Sequence, residues 1–180
     1  MLIGKTVGRI EPNGRGGDAM GRWSYVHLRR KKMQPITIIT IYQVNRRPTN
    51  IIGNTAWHQQ RIALDSQGRH DTHPRTAFIK DLTQLVQELQ QKNHAILIGG
   101  DFNDTVHRRN SGILKLIMQT GLVDIWQHRY PNHEPFNTYA RGTERIDNVL
   151  CTTNILPYIT SIGYAPYQWI TNSDHRAISL

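Results

Sequence analysis

The sequence predicts a mixed α/β layered domain, and three segments carry that expectation. Ile36-Thr37-Ile38-Ile39-Thr40-Ile41-Tyr42 is β-branched and nearly continuous, as expected of a strand covered on both faces. After Pro74, a residue tolerated in the first turn of a helix, Phe78, Leu82, Leu85, Val86 and Leu89 fall on one amphipathic helical stripe. Ala95-Ile96-Leu97-Ile98 then reads as a short buried strand running straight into Gly99-Gly100-Asp101. Strand and helix mix along the chain with no internal repeat, the order of an α/β or α+β layered domain.

The remaining elements follow in order. Residues 1–21 carry Gly4, Gly8, Gly14, Gly16, Gly17 and Gly21 with few large apolar residues, so they read as loop or poorly ordered chain. The folded domain is then expected over residues 22–180. Trp23, Tyr25 and His27 alternate with smaller or polar residues, a half-buried strand that pairs with 36–42 as a hairpin across a basic turn, Pro35 marking the turn into the second strand. Residues 45–73 are polar, with one short helix near Ala56–Leu64. A second helix, about 111–120, buries Ile113, Leu114, Leu116 and Ile117 and stops at Gly121. Short strands are expected around 136–140, 145–151, 159–165 and 176–180.

A chain of 180 residues fits one domain with a real core. An apolar fraction of 38% and a mean hydropathy of −0.53 describe a soluble protein. No stretch approaches the ~18 apolar residues of a membrane span, so no membrane partner is expected. Nothing at Met1-Leu2-Ile3-Gly4-Lys5 resembles a secretory leader, which favours an intracellular setting, nuclear or cytoplasmic. The single cysteine, Cys151, rules out an internal disulfide framework and a cysteine-rich zinc site. A metal would be held by oxygen and imidazole, which suits Mg²⁺ or Mn²⁺. The charge is lopsided, 22 Lys+Arg against 13 Asp+Glu for a net +9, with clusters at Arg29-Arg30-Lys31-Lys32, Arg46-Arg47 and Arg108-Arg109. Such a surplus points to a polyanionic partner, because each neutralised phosphate releases counterions. A merely solvated basic surface is the alternative.

Four features carry chemistry. Gly100-Asp101-Phe102-Asn103 delivers a carboxylate and a carboxamide to the end of a buried strand, where α/β proteins place ligands. If the chain stays extended, the i, i+2 spacing puts both side chains on one side, able to activate water and hold a phosphoryl oxygen. A simple turn is the alternative. Asp147 interrupts an apolar strand and needs a partner, which a salt bridge to Arg145 or another basic group would supply. Ser173-Asp174-His175 places an imidazole beside a carboxylate at a strand start, suited to proton transfer or phosphate contact near neutral pH, or to capping. Tyr42 is a phenol at the end of the Ile-rich strand, a candidate site residue whose ordinary explanation is a core tyrosine with its hydroxyl at the rim.

Taken in order, Tyr42, Gly100-Asp101-Phe102-Asn103, Arg145-Ile146-Asp147 and Ser173-Asp174-His175 resemble the endonuclease/exonuclease/phosphatase superfamily of deoxyribonuclease I-like proteins. The resemblance spans roughly Arg22 to Leu180. Asn137-Thr138-Tyr139, Gly142 to Asp147 and Ser173 to Ala177 look most like the endonuclease domains of mobile elements. It implies a four-layer α/β/β/α sandwich and Mg²⁺-dependent hydrolysis of a phosphodiester, with nucleic acid, DNA first, as partner. By analogy Asp101 activates the attacking water, Asn103 fixes it, Tyr42 binds a phosphate oxygen, and His175, kept cationic by Asp147, stabilises developing charge. Asp174 helps bind the metal together with Asp101 and Asn103. Arg22, Arg145, Arg108 and Arg109 are the expected phosphate contacts.

Such proteins normally carry, on earlier strands, an asparagine and then a glutamate that is a principal metal ligand. The four glutamates here, Glu11, Glu88, Glu134 and Glu144, do not match that position. The beginning of the domain is therefore expected to lie outside this sequence, leaving an open sheet edge and a weakened metal site. The leading expectation is an endonuclease-type phosphodiesterase, weak or inactive as written. The alternatives are a non-catalytic nucleic-acid-binding remnant and an inositol-phosphate phosphatase of the same fold.

Overall fold

The computed structural model describes residues 9–180 apart from 46, 47, 49, 51, 71, 135, 170 and 171. Residues 1–8 of the glycine-rich segment, and the Arg46-Arg47 pair, thus lie outside the described residues. The elements are β1 (Ile10–Gly17), β2 (Trp23–Arg30), β3 (Met33–Tyr42), α1 (Ala56–Ser66), α2 (Pro74–Gln91), β4 (Ala95–Asp101), α3 (Gly112–Thr120), β5 (Val123–Asp124), α4 (Ile125–Arg129), β6 (Asp147–Cys151), β7 (Gly163–Tyr164) and β8 (Ile178–Ser179). A 3-10 helix at Thr153–Tyr158 links β6 to β7.

One mixed sheet runs in the order β1-β2-β3-β4-β6-β5, and β7 pairs with β8 in a separate two-stranded sheet. β1 to β3 form an antiparallel meander, β3 and β4 are parallel, and β6 runs antiparallel to β4. The parallel β3–β4 pair requires a long crossover, and α1 and α2 supply it. Helix α2 buries Phe78, Leu82, Val86 and Leu89 against Ile39, Ile41, Ile96 and Ile98 of the sheet, with Ile113 and Leu116 of α3 alongside. Ser111 caps α3, its hydroxyl accepting from Leu114 N at 3.0 Å, and Gly121 ends it in the left-handed region at φ +66°. Leu114 and Ile117, expected in the core, are half-buried.

Four expectations are corrected. Residues 10–17 are an edge strand, not loop. Glycine is tolerated there because the partner strand crowds it: a Cβ on Gly16 would meet the Tyr25 hydroxyl at 2.4 Å, and Asn13, at φ +56°, sits in the irregular stretch between Ile10 and Arg15. The hairpin turn lies at Lys31-Lys32, and Pro35 is inside β3. β3 is covered on one face: Thr37, Ile39 and Ile41 are buried under the helices, while Ile36 and Ile38 are half-buried and Thr40 and Tyr42 exposed on the other. That face is covered only toward one end, where Ile36 and Leu97 meet Val149, Cys151, Ile155 and Ile162. The segment 136–140 forms an isolated bridge, Tyr139 to His175, instead of a strand.

Candidate active site

Register alone aligns Tyr42 with Asp101 on parallel strands, and Asp101 with Asp147 on antiparallel ones. Partners in register share a face, so the three side chains form one row at the sheet's edge, on the side away from α2 and α3. Gly100 makes the approach possible. At φ +147° it stands where a Cβ would lie 2.1 Å from Ile41 O, a conformation open only to glycine.

The chain does not stay extended beyond Asp101. Asn103 turns into the left-handed region at φ +44° and folds back. Its backbone N donates to Asp101 Oδ1 at 2.7 Å. Its Nδ2 donates to Asp101 Oδ2 at 3.0 Å and to Gln43 O at 2.7 Å. Asn103 therefore holds the Asp101 carboxylate instead of standing beside it. Arg75, at the start of α2, locks the same loop by donating to Val44 O at 2.8 Å and Asn103 O at 3.0 Å.

Asp147 is 7% exposed and pairs with His175 Nδ1 through Oδ2 at 2.9 Å. Arg145 turns instead to Asp124, with Nη2 to Oδ2 at 2.5 Å. Thr138 Oγ1 accepts from Ile146 N and Asp147 N, each at 3.0 Å, and Arg176 N donates to Thr138 O at 2.8 Å, so one threonine ties the β6 start to the His175 segment. The Tyr139 ring lies 5.0 Å from the imidazole, and Ser173 Oγ accepts from His175 N at 3.0 Å. Asp101, Asp147 and His175 each offer a ligand atom, all within 4.8 Å of one another, and among the described residues no glutamate joins this cluster.

Electrostatics divides these roles. Burial pushes the Asp101 carboxyl up to about 6, with the Asp147 charge adding and the Asn103 N–H opposing. Burial alone would lower His175, but the hydrogen bond and charge of Asp147, helped by Asp101 and Asp174, raise it overall. Burial, then Asp101, raises the Tyr42 phenol, which stays protonated at neutral pH.

The other expected residues are placed differently. Asp174 is at the exposed rim, bound to Arg141 Nη2 at 3.2 Å, and is not one of the three clustered groups. Arg22 and Arg145 are each 3% exposed and committed to ion pairs, Arg22 with Asp18 and Asp81. Both guanidiniums are thus engaged by carboxylates within the fold. Arg108 is half-buried and paired with Glu144 at 2.7 Å, and Arg109 is exposed. Gln43, Arg75 and Thr138 were not singled out as site residues. They act through backbone contacts, which leave no side-chain signature in sequence, although Thr138 lies within the Asn137-Thr138-Tyr139 motif.

The fold is that of the endonuclease/exonuclease/phosphatase proteins. It superposes on an apurinic/apyrimidinic endonuclease from Leishmania major with a TM-score of 0.66 at 15% identity, covering 90% of this chain and 54% of that one. It matches a 3′ phosphatase from Neisseria, solved with a product DNA hairpin, with a TM-score of 0.62 at 15% identity over 94% of this chain and 70% of that one. Among more particular relatives, the endonuclease domain of TRAS1, a telomere-specific non-LTR retrotransposon, superposes with a TM-score of 0.52 at 17% identity over 88% of this chain and 62% of that one. An uncharacterised 149 kDa protein of transposon TX1 from Xenopus laevis is 29% identical over 125 aligned positions, covering 59% of this chain. The chain spans 9% of that transposon protein and about half of the Leishmania enzyme. No protein-family model matches the chain. Among the described residues no helix is long and apolar enough to cross a membrane.

Proposed function

We propose that the chain is a metal-dependent phosphodiesterase domain of mobile-element endonuclease type, with DNA as its substrate. The observation that supports this best is the row Tyr42, Asp101, Asp147 closed by His175. It sets a carboxyl near 6 opposite an imidazole kept cationic, a matched base and acid for neutral pH.

Asp101, ionised above about 6 and fixed by both nitrogens of Asn103, accepts the proton of the attacking water. His175 donates through its free ring nitrogen to a phosphoryl oxygen as charge develops there, and Asp147 holds the ring in place and favours its cation. Tyr42, 43% exposed at the strand end, donates its hydroxyl to a second oxygen. The donor set fits a divalent cation, since the two carboxylates Asp101 and Asp147 offer hard oxygens within 4.8 Å of one another and of a single imidazole. Asp101 would hold Mg²⁺ or Mn²⁺ with Asp174 from the rim and the Asn103 carboxamide oxygen. When bound, the ion supplies Lewis-acid polarisation of the phosphate.

Nicking of supercoiled plasmid in Mg²⁺ tests this reading. Wild type nicks, and Asp101→Ala and His175→Ala do not; equal nicking by all three sinks the catalytic assignment. The pairing of Asp174 with Arg141 favours a second reading, a nucleic-acid-binding module without turnover. That module predicts DNA affinity falling steeply with salt and no nicking by wild type.

A further inference from the structure

A groove of about 1100 Å³ runs between α2 and α3, on the side of the sheet away from the catalytic row, and the chemistry above does not use it. Its walls are polar and basic. Lys80 of α2 and Lys115 of α3 stand on opposite walls, both exposed, and neither has an ion-pair partner among the described residues. The one carboxylate among the described lining residues, Asp104, is buried and held inward, Oδ2 accepting from Gly112 N at 2.7 Å and Oδ1 from Thr105 N at 3.0 Å. An anion in the groove thus meets two uncompensated cations.

The floor supplies a second observation. Gln43 lines the end of the groove nearest the catalytic loop and is 1% exposed. Its Nε2 donates to Arg75 O at 3.5 Å, while its Oε1 is buried with no hydrogen-bond partner. A buried acceptor left without a donor is costly, so this end of the groove calls for a ligand with an N–H or O–H. At the other end, Gln87 Nε2 donates to Gln119 O at 3.3 Å and ties the two helices together.

These features choose among anionic ligands. The volume exceeds the roughly 300–1,000 Å³ of small-molecule sites, so a chain segment fills the groove better than a compact molecule. Among the described residues no Phe, Tyr or Trp lines it, so it lacks the stacking platform on which single nucleic-acid strands settle. A phosphodiester link offers acceptors and no donor, and leaves Gln43 Oε1 unanswered. A peptide offers one N–H and one C=O per residue, which match the carboxamides of Gln84, Gln87 and Gln119 as well as the floor.

We propose that this groove docks an extended acidic segment of a partner polypeptide, its carboxylates against Lys80 and Lys115 and one backbone N–H donating to Gln43 Oε1. The inference does not rest on the nuclease reading, since neither lysine nor the Gln43 side chain takes part in that chemistry.

Fluorescence anisotropy tests it with a labelled peptide of alternating aspartate and serine, its asparagine–serine counterpart as neutral control, and labelled single-stranded oligothymidylate. Two variants accompany wild type: Lys80→Glu combined with Lys115→Glu, at exposed positions, and Gln43→Leu, which replaces the orphaned carboxamide with an apolar group of similar size. Wild type should bind the aspartate peptide in preference to the asparagine one, with affinity falling as salt rises. The double charge reversal should weaken that binding about tenfold or more. Gln43→Leu should weaken it about fivefold, the worth of one hydrogen bond, while melting no lower than wild type. The charge reversal is read on its own, so a folding defect in Gln43→Leu leaves the test intact. No preference for the aspartate peptide, or peptide binding that survives the charge reversal, overturns the proposal. Oligothymidylate binding that the charge reversal abolishes, with no peptide binding by wild type, overturns it in favour of a nucleic-acid strand.

Discussion

Asp147→Asn isolates the pair on which the proposed chemistry depends. Asparagine keeps the shape of the side chain and an oxygen able to accept from His175 Nδ1, now at 2.9 Å, but removes the charge. A hydrogen bond to a charged partner contributes about 1.5–3 kcal/mol. The imidazole is 32% exposed, so solvent screening places this pair in the lower half, about 1.5–2 kcal/mol. At about 1.4 kcal/mol per decade, cleavage should fall roughly ten- to thirtyfold. The same change moves two titrations. His175 loses the bond and charge that outweigh its burial, so its midpoint falls and less imidazolium survives at neutral pH. Asp101 loses a neighbouring negative charge, so its midpoint also falls from about 6. Both limbs of a bell-shaped pH–rate profile should shift to the acid side. Nicking rates across pH measure the limbs, and the His175 ring-proton NMR titration measures one midpoint without any turnover. A His175 titration identical to wild type would refute the argument, whatever the rate did.

Three further outcomes follow from the same geometry. Asp101→Asn should stabilise the fold at pH 7 while abolishing activity. The native carboxyl titrates at about 6 against 3.8 in a free side chain, so ionising it in the fold costs stability above pH 6 and nothing below 3.8. Discounted for partial exposure, the gain is about 1–2 kcal/mol at pH 7, vanishing toward pH 4; urea melts showing equal stability at pH 7 would contradict it. Gly100→Ala should cost more than about 3 kcal/mol, since its Cβ would overlap Ile41 O at 2.1 Å, and an unchanged melting temperature would show that the strand end relaxes freely. Arg145→Ala leaves Asp124 buried without its partner and should cost about 3–5 kcal/mol, whereas Arg109→Ala at an exposed position should stay within about 0.5 kcal/mol; similar losses in denaturant melts would refute the buried-pair assignment.

Local periodicity made α2, α3, β3 and β4 legible. The stripe Phe78, Leu82, Val86, Leu89 and the glycine stops at Gly99-Gly100 and Gly121 are short-range signals, and the helices end where those signals end. β1 escaped because its strand character depends on a neighbour. Gly14, Gly16 and Gly17 look like loop until Tyr25 of β2 is seen occupying the room a side chain on Gly16 would take, and Trp23 O and Ser24 the room beside Gly17. The half-open face of β3 escaped for the opposite reason: a β-branched run looks the same whether one face or both are covered, and only the layer packed against it decides.

At the site, sequence order alone brought Tyr42, Asp101, Asn103, Asp147 and His175 under suspicion, because each interrupts or ends an apolar strand with a group that needs a partner. Which partner it gets is a long-range matter. Asp147 had Arg145 two residues away and pairs with His175, because Arg145 lies before β6 and is taken by Asp124 beside that strand, while the Tyr139–His175 bridge brings the imidazole to Asp147. Asn103 had the spacing to stand beside Asp101 and instead turns back to hold it, a left-handed turn that Gln43 O and Arg75 stabilise from other elements. Sequence determined which strands end in carboxylates and imidazole, since that depends only on local pattern. The tertiary structure decided which charges meet, since a buried charge takes the partner that the sheet register and the packed helices bring within reach.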